Sequence, residues 1–138
     1  MREEHRWTDI VLQVSEPVDN ALAISAARQL CAEIGFVETE QFLIASVVSE
    51  LATNIIHYAG RGEILLKRVQ DGGTCGIEVL ARDNGPGIAD LEKALTDNYS
   101  TGGTLGLGLP SVKRIMDEFT IESAPGKGVR CLSRKWKK

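Results

Sequence analysis

The sequence predicts an α/β protein with a two-layer sandwich, in which a mixed, mainly antiparallel sheet carries its helices on one face. The element order predicts it: strand, helix, helix, hairpin, loop, helix, hairpin. Glycine-containing turns separate the paired strands, and each helix repeats apolar residues every three or four positions. A length of 138 residues with 43% hydrophobic residues fits one domain, residues 1–138, with a substantial core.

The first two elements are a short strand and a helix. Residues 10–14 alternate apolar and polar side chains, which is typical of a half-buried strand. Pro17 then opens a helix with apolar residues at helical spacing, and Gly35 ends it. Ordinary core packing explains this helix.

The second helix is the most apolar element of the chain. It is predicted over residues 40–58, capped by Thr39 and closed before Gly60. Its side chains are apolar on nearly every side, whereas a helix at the surface would show a polar face. We therefore expect this helix to be buried.

The second half of the chain supplies two hairpins and a long loop. Strands are predicted at residues 63–68 and 76–81, joined by a glycine turn. Residues 83–108 are rich in glycine and too long for an ordinary loop, which predicts a functional lid or partial disorder. A last amphipathic helix has Pro110 in its first turn and apolar residues up to Phe119. Residues 119–121 and 129–131 alternate around a glycine turn, which predicts the second hairpin.

Composition and charge exclude several classes of function. The formal net charge of -3 argues against a nucleic-acid or anionic-membrane surface, and the basic residues 134–138 are predicted to be a solvated tail. Cys31, Cys75 and Cys131 form no CxxC pair, so neither a disulfide framework nor a zinc site is indicated. No apolar run approaches the roughly 20 residues of a membrane span, and the amino end is no signal peptide. A soluble, cytoplasmic protein is expected.

Three polar residues follow one stripe of the second helix. Glu50, Asn54 and His57 are spaced four and then three residues apart, which places them on one helix face. A buried carboxylate is costly unless a partner, metal or ligand satisfies it. The helix alone leaves two interpretations open: a polar stripe bonded to backbone groups, or a ligand site.

Two glycine-rich segments follow. Asp83, Gly85 and Gly87 belong to Asp-Asn-Gly-Pro-Gly, a good turn sequence directly after a strand. The second segment, residues 102–109, leads into a helix start, where backbone N–H groups and the helix dipole favour phosphate, although a flexible loop is the plain alternative. It lacks the Gly-Lys-Ser/Thr of a Walker loop and follows no parallel βαβ unit.

The ordered combination is more specific than any one motif. Glu-x-x-x-Asn on a buried helix, Asp-x-Gly-x-Gly after a strand and Gly-Leu-Gly-Leu before a helix occur within about sixty residues. This order resembles the GHKL ATPase/kinase superfamily, which holds ATP in the Bergerat fold. The resemblance covers nearly the whole chain.

The resemblance implies a role for each matching residue. Asn54 would ligate the Mg²⁺ that bridges the triphosphate, and Asp83 would accept a hydrogen bond from the adenine amino group. Gly85 and Gly87 would allow the backbone to approach the base. Glu50 would be the general base that polarises the attacking hydroxyl.

It also implies roles for residues around the phosphates. His57 would not touch the ligand itself but would form hydrogen bonds to the residues that do. The remaining cofactor-binding residues would offer N–H groups to the phosphates or act as hinges of the lid: Gly102, Gly103, Gly106, Leu107 and Gly108.

The chain departs from the superfamily pattern at two places. Gly126-Lys127-Gly128-Val129 stands where relatives often have Gly-x-Gly-Thr, which puts the outer adenine contact in doubt. No arginine lies within residues 99–108 to face the γ-phosphate. Lys113 or Arg114 would be its substitute, unless both are solvated helix charges.

Size separates the branches of the superfamily. The chain is too short for the additional domains of gyrase, Hsp90 or MutL types and has no amino-terminal hairpin with a phospho-accepting histidine. It resembles the free-standing serine/threonine kinases of bacterial partner-switching systems, and among them the stressosome switch kinases. That resemblance implies phosphoryl transfer to a STAS-domain protein of the RsbS/RsbR type, and activation of an RsbU-type phosphatase on release.

Other functions remain open from sequence. An anti-sigma factor kinase, which sequesters a sigma factor, is the first alternative. A detached histidine-kinase ATP domain and a nucleotide-independent interaction module, whose glycines are only turns, are two more. The sequence also leaves self-association open, so a homodimer is compatible with it.

Overall fold

The computed structural model describes residues 9–95 and 108–137. Five antiparallel strands form one sheet in the order β1-β2-β3-β5-β4. The strands are β1 (Ile10–Val14), β2 (Gly62–Asp71), β3 (Thr74–Asp83), β4 (Glu118–Ser123) and β5 (Val129–Trp136). The two-layer prediction is confirmed, and all four described strand pairings are antiparallel rather than mixed.

One face of the sheet carries the helices. The helices are α1 (Pro17–Ile34), α2 (Glu38–Asn54), α3 (Leu91–Ala94) and α4 (Leu109–Ile115). On this face, Ile64 of β2 is paired with Ala81 of β3, and Leu66 is paired with Val79. All four side chains pack against the helices in one core. Side chains alternate between the faces of a strand, so the intervening residues lie on the uncovered face.

The uncovered face combines an ion pair with apolar residues. The Arg82 Nη2 atom lies 2.6 Å from Glu63 Oε1, and the arginine holds the pKa of Glu63 below its ordinary value. Val11 of β1 is 53% exposed on this face, where it is paired with Leu65. These residues lie on the side of the sheet away from the helices.

Helix α1 has the predicted bounds and a carboxylate at its start. The Asp19 carboxylate accepts the backbone N–H groups of Ser15 and Glu16 at 2.9 Å each. Gly35 ends the helix in a left-handed conformation with φ of 110°, and its N–H donates to the Cys31 carbonyl. Both ends therefore follow from local sequence.

Replacing Asp19 by alanine should remove a pH-dependent part of the stability. Hydrogen bonds from Ser15 and Glu16 hold the pKa of Asp19 below its ordinary value of 3.8. A lowered folded-state pKa contributes stability above the ordinary pKa, and this contribution is lost as the pH falls through the lowered value. Urea denaturation at several pH values should show a steeper loss of stability below about pH 4 in the wild type than in Asp19→Ala. Asp71→Ala, at the exposed end of β2, is the control, and identical pH profiles for the wild type and Asp19→Ala would contradict the expectation.

Helix α2 begins earlier than predicted, and it reaches the predicted end before Gly60 through a π turn. It begins at Glu38 after Val37, so Thr39 lies inside the first turn and the predicted Thr39 cap is wrong. The α-helix ends at Asn54 and continues as a π turn over Ile55–Ala59. Gly60 closes this turn, and its N–H donates to the Ile55 carbonyl at 2.9 Å.

The expectation of burial on all sides of α2 is wrong. Phe42 is 58% exposed and Leu43 is 42% exposed, because α2 lies between α1 and α4 with one side facing solvent. By length and composition alone, residues 38–59 could cross a membrane, so the expectation that no apolar run is long enough is wrong, although the core helix of a globular protein meets the same criterion. The inner side of this helix nevertheless packs in the core through a set of buried residues. They are Ile44, Val47, Val48, Leu51, Ala52 and Ile55.

The carboxyl end is part of the sheet, so the predicted solvated tail is wrong. Strand β5 runs to Trp136, and Lys135 is buried. The Lys135 Nζ atom donates to the Ile115 carbonyl at 2.9 Å and lies 3.6 Å from the Glu40 carboxylate. This lysine ties the end of α4 to α2. The last helix ends at Ile115, earlier than predicted, and Phe119 lies in β4, as the predicted second hairpin had it.

The three cysteines are free thiols. Burial raises the pKa of Cys31 and of Cys131 to about 12, so both thiols stay protonated near neutral pH. Their burial in the core indicates a packing role.

Candidate active site

A cleft opens where the helical layer meets the ends of β3 and β5. It contains about 470 Å³ of free space, part of which is open to solvent. Its polar lining residues are Asn54, Tyr58 and Asp83. Its other lining residues are Leu51, Ile55, Ala59, Ala81, Pro86, Gly87, Ile88, Leu109, Ile121, Val129 and Cys131. The cleft therefore has apolar walls with a few polar groups, as small-molecule sites commonly do.

Asn54 and Asp83 line the same cleft, although 29 residues separate them. Asn54 is the last residue of α2, and Asp83 is the last residue of β3. One Asp83 carboxylate oxygen accepts the Gly85 N–H at 2.8 Å, which fixes the orientation of the carboxylate and closes a tight turn. The structure thus brings together two of the residues predicted from separate motifs.

The turn after β3 is held by the β4–β5 hairpin. The Pro86 carbonyl accepts the Gly126 N–H at 2.7 Å. The Ile88 N–H donates to the Ser123 hydroxyl, also at 2.7 Å. Sequence reasoning missed Ser123, because its role depends on a hairpin that folds back from 35 residues further along the chain.

Two glycines allow close backbone contacts around the cleft. Gly87 has φ of 84°, and a Cβ added there would overlap the Ala124 carbonyl. Gly128 has φ of 79°, and a Cβ there would overlap the Asp83 carbonyl. The Gly126–Gly128 segment therefore holds the strand that ends at Asp83. Val129, at the position where the superfamily often has threonine, adds an apolar side chain to the cleft.

Replacing Gly87 by alanine should distort the cleft. The backbone conformation and the contact with the Ala124 carbonyl both exclude a Cβ. We expect a loss of stability of about 1–3 kcal/mol and weakened nucleotide binding, measured by urea denaturation and by titration with ATP. Gly73→Ala is the matched control, because a Cβ at Gly73 would meet no atom within 4 Å. Equal stability and ATP affinity of the two variants would contradict this expectation.

Glu50 lies beside the start of α4. A Cβ added at Gly108 would overlap the Glu50 carboxylate, so the carboxylate contacts the backbone that leads into this helix. Glu50 is half-buried and lies one helical turn before Asn54. It is therefore at the edge of the cleft, partly open to solvent.

His57 does not share the cleft with Asn54. Its side chain is exposed, and its ring contacts Tyr58 edge-on with 4.5 Å between the ring centroids. The π turn has more residues per turn than an α-helix, which rotates His57 away from the predicted stripe. The prediction that His57 is buried on the same stripe as Glu50 and Asn54 is wrong, and Tyr58 lines the cleft instead.

Several predicted residues lie elsewhere. Lys113 and Arg114 occupy the last turn of α4, at the opposite end from Gly108, and both are exposed. Four predicted residues lie outside the described part of the chain: Gly102, Gly103, Gly106 and Leu107. Within residues 9–95 and 108–137, no group of three or more His, Cys, Asp or Glu side chains is placed to hold a metal ion.

Comparison with known proteins agrees with this geometry. A family model described as "Histidine kinase-like ATPase domain" matches residues 14–133. The serine/threonine-protein kinase RsbT of Bacillus subtilis (strain 168) is 47% identical over 117 residues, which are 82% of this chain and 88% of that protein. An anti-sigma F factor of Thermoanaerobacter sp. (strain X514) is 41% identical over 99 residues, 67% of this chain and 68% of the relative.

A solved structure shows the same fold. The catalytic domain of the histidine kinase ThkA, in a nucleotide-free form, superposes with a TM-score of 0.55. The match covers 96% of this chain and 97% of that domain at 18% sequence identity. At this identity the likeness concerns the fold alone.

Proposed function

Because the chain belongs to the family of histidine kinase-like ATPase domains, we propose that it is an ATP-dependent serine/threonine protein kinase. The observation that carries the proposal is the cleft in which Asn54 and Asp83 lie on a common surface. Glu50 lies one helical turn before Asn54, at the cleft edge. These residues come from two of the three sequence motifs, Glu-x-x-x-Asn and Asp-x-Gly-x-Gly.

The cleft suits an adenine nucleotide. Apolar side chains such as Ile88 and Ile121 form its walls, which favours a flat ring system. The Asp83 carboxylate, oriented by the Gly85 N–H, is an acceptor for the adenine amino group. Gly87 lines the cleft, and its missing Cβ lets the turn pack directly against the Ala124 carbonyl. We assign Asp83, Gly85 and Gly87 to the base.

Asn54 is the protein ligand that we assign to Mg²⁺. Its amide oxygen is a hard donor, and it ends α2 within the cleft. Mg²⁺ commonly takes one or two protein ligands and completes its shell with water and phosphate oxygens. When bound, the ion would neutralise charge on the phosphates.

Glu50 is the general base in this proposal. It would accept the proton of the serine or threonine hydroxyl that attacks the γ-phosphate. Its carboxylate contacts Gly108, one of the residues to which the superfamily resemblance assigns the phosphate contacts. By that resemblance Gly106, Leu107 and Gly108 would bind phosphate, with Gly102 and Gly103 as hinges.

The substrate class follows from the similarity to RsbT. We infer that the chain phosphorylates a STAS-domain protein of the RsbS/RsbR type in the cytoplasm and, once released, activates an RsbU-type phosphatase. A docked protein would both deliver the hydroxyl and exclude water from the transferring phosphoryl group.

Incubation with Mg-ATP and a recombinant STAS-domain protein, followed by phosphopeptide mapping, tests the proposal. We expect one phosphoserine or phosphothreonine on the STAS-domain protein and none without Mg²⁺. Absence of phosphate on serine or threonine with the wild-type chain would contradict the proposal.

A second candidate is an anti-sigma factor kinase, which the 41% identity to an anti-sigma F factor favours. Such a protein would sequester a sigma factor and phosphorylate its antagonist. Co-purification separates the two functions, since the first candidate predicts a bound phosphatase and the second a bound sigma factor.

A further inference from the structure

An exposed apolar pair lies on the same helix as Glu50. Phe42 and Leu43 are 58% and 42% exposed in the first half of α2. Ser46 is exposed one turn later, and its hydroxyl donates to the Leu43 carbonyl at 2.7 Å. Positions 43, 46 and 50 share one helix face, because they are spaced by three and four residues. We call Phe42, Leu43, Ser46 and Glu50 the α2 strip.

The α2 strip is short enough to be covered by one partner. Seven residues separate Leu43 from Glu50, which is about 10 Å along the helix axis. A stable protein interface buries about 800 Å² on each partner, a patch of about 16 Å in radius. An interface of ordinary size centred on Glu50 therefore extends far enough to include Leu43.

Phe42 is held in place from the neighbouring helix. The Arg28 guanidinium of α1 lies 4.8 Å from the centroid of the Phe42 ring, in a cation–π contact. This contact favours one orientation of the ring and so lowers the side-chain entropy lost on binding. Exposed aromatic side chains are enriched at protein interfaces.

We propose that Phe42 and Leu43 are the docking surface for the protein that carries the acceptor hydroxyl. This inference rests on the proposed kinase function and adds the place where the protein substrate binds. The partner should carry an apolar side chain about 10 Å from its acceptor serine or threonine. That distance corresponds to about two helical turns or three extended residues.

The test uses the full chain with Phe42 and Leu43 both replaced by glutamine, which is polar and favours helices. Val11→Gln is the matched control, because Val11 is similarly exposed but lies on the uncovered sheet face. Titration calorimetry with the recombinant STAS-domain protein and a non-hydrolysable ATP analogue gives the affinity for the partner. Steady-state kinetics give KM and kcat for the same protein, and a separate titration gives the ATP affinity.

We expect the double variant to bind the STAS-domain protein about ten-fold or more weakly and to show a raised KM with kcat unchanged. The double variant should bind ATP as tightly as the wild type. Val11→Gln should match the wild type in its affinity for both ATP and the STAS-domain protein. Unchanged partner affinity in the double variant would overturn the inference. So would light scattering that shows a dimeric wild type and a monomeric variant, because a second copy of the chain would then be the occupant.

The same data separate this inference from the proposed function. A wild type that binds the STAS-domain protein but transfers no phosphate contradicts the kinase proposal, whereas the calorimetric difference between the variants still decides the docking surface. A wild type that phosphorylates the protein with the same KM as the double variant contradicts only the docking surface.

Discussion

Glu50→Gln is expected to lower the rate of phosphoryl transfer by about 10²–10⁴-fold, the usual contribution of a general base. Glutamine keeps the shape of the side chain, so the contact with the backbone at Gly108 is retained. It has no carboxylate to accept the proton of the attacking hydroxyl. Single-turnover transfer from labelled ATP to the STAS-domain protein measures the effect.

ATP binding should be unchanged in Glu50→Gln, because Glu50 lies at the edge of the cleft and is not among the residues that line it. This separates a catalytic role from a role in binding. Glu33→Gln, an exposed change on α1, is the control for the loss of one negative charge. Transfer by Glu50→Gln at the wild-type rate would remove Glu50 as the base.

The second large effect is expected for Asp83→Asn, which should weaken ATP binding by about 10- to 150-fold. The remaining amide oxygen still accepts the Gly85 N–H, so the turn is preserved. The amide nitrogen replaces an acceptor with a donor, which cannot pair with the adenine amino group. In the complex, the amide N–H of the new asparagine would then face the adenine N–H, with no acceptor between them.

Titration with ATP measures this change, and thermal unfolding checks that the fold is retained. Asp71→Asn, at the exposed end of β2, removes the same charge far from the cleft and should bind ATP like the wild type. Wild-type ATP affinity in Asp83→Asn would show that Asp83 does not contact the base.

The sequence predicted the architecture because alternation predicts strands and glycine turns predict hairpins. That Asn54 and Asp83 meet in one cleft was implied by the resemblance to the GHKL superfamily. The resemblance implied that Gly87 lets the backbone approach the base. The contact that excludes a Cβ at Gly87 is with the Ala124 carbonyl, which only the structure shows.

The predictions that failed depend on tertiary contacts or on irregular geometry. Lys135 was predicted in a solvated tail, but pairing with β3 buries it beneath α4. Phe42 and Leu43 were predicted in a buried helix, and composition does not show which side of an apolar helix faces solvent. Ser123 belongs to no motif, since its hydroxyl acts on the backbone of a distant turn.

The π turn that follows Asn54 makes the cleft sensitive to chain length at one point. Ala59 is the last residue of this turn and packs against Gly85. A Cβ added at Gly85 would lie 2.6 Å from the Ala59 Cβ. Loss of a single residue from the turn would let it continue as a regular α-helix. Tyr58 and Ala59 would then both move out of the cleft lining. Insertions and deletions are therefore tolerated far less in residues 55–59 than in the open β2–β3 turn.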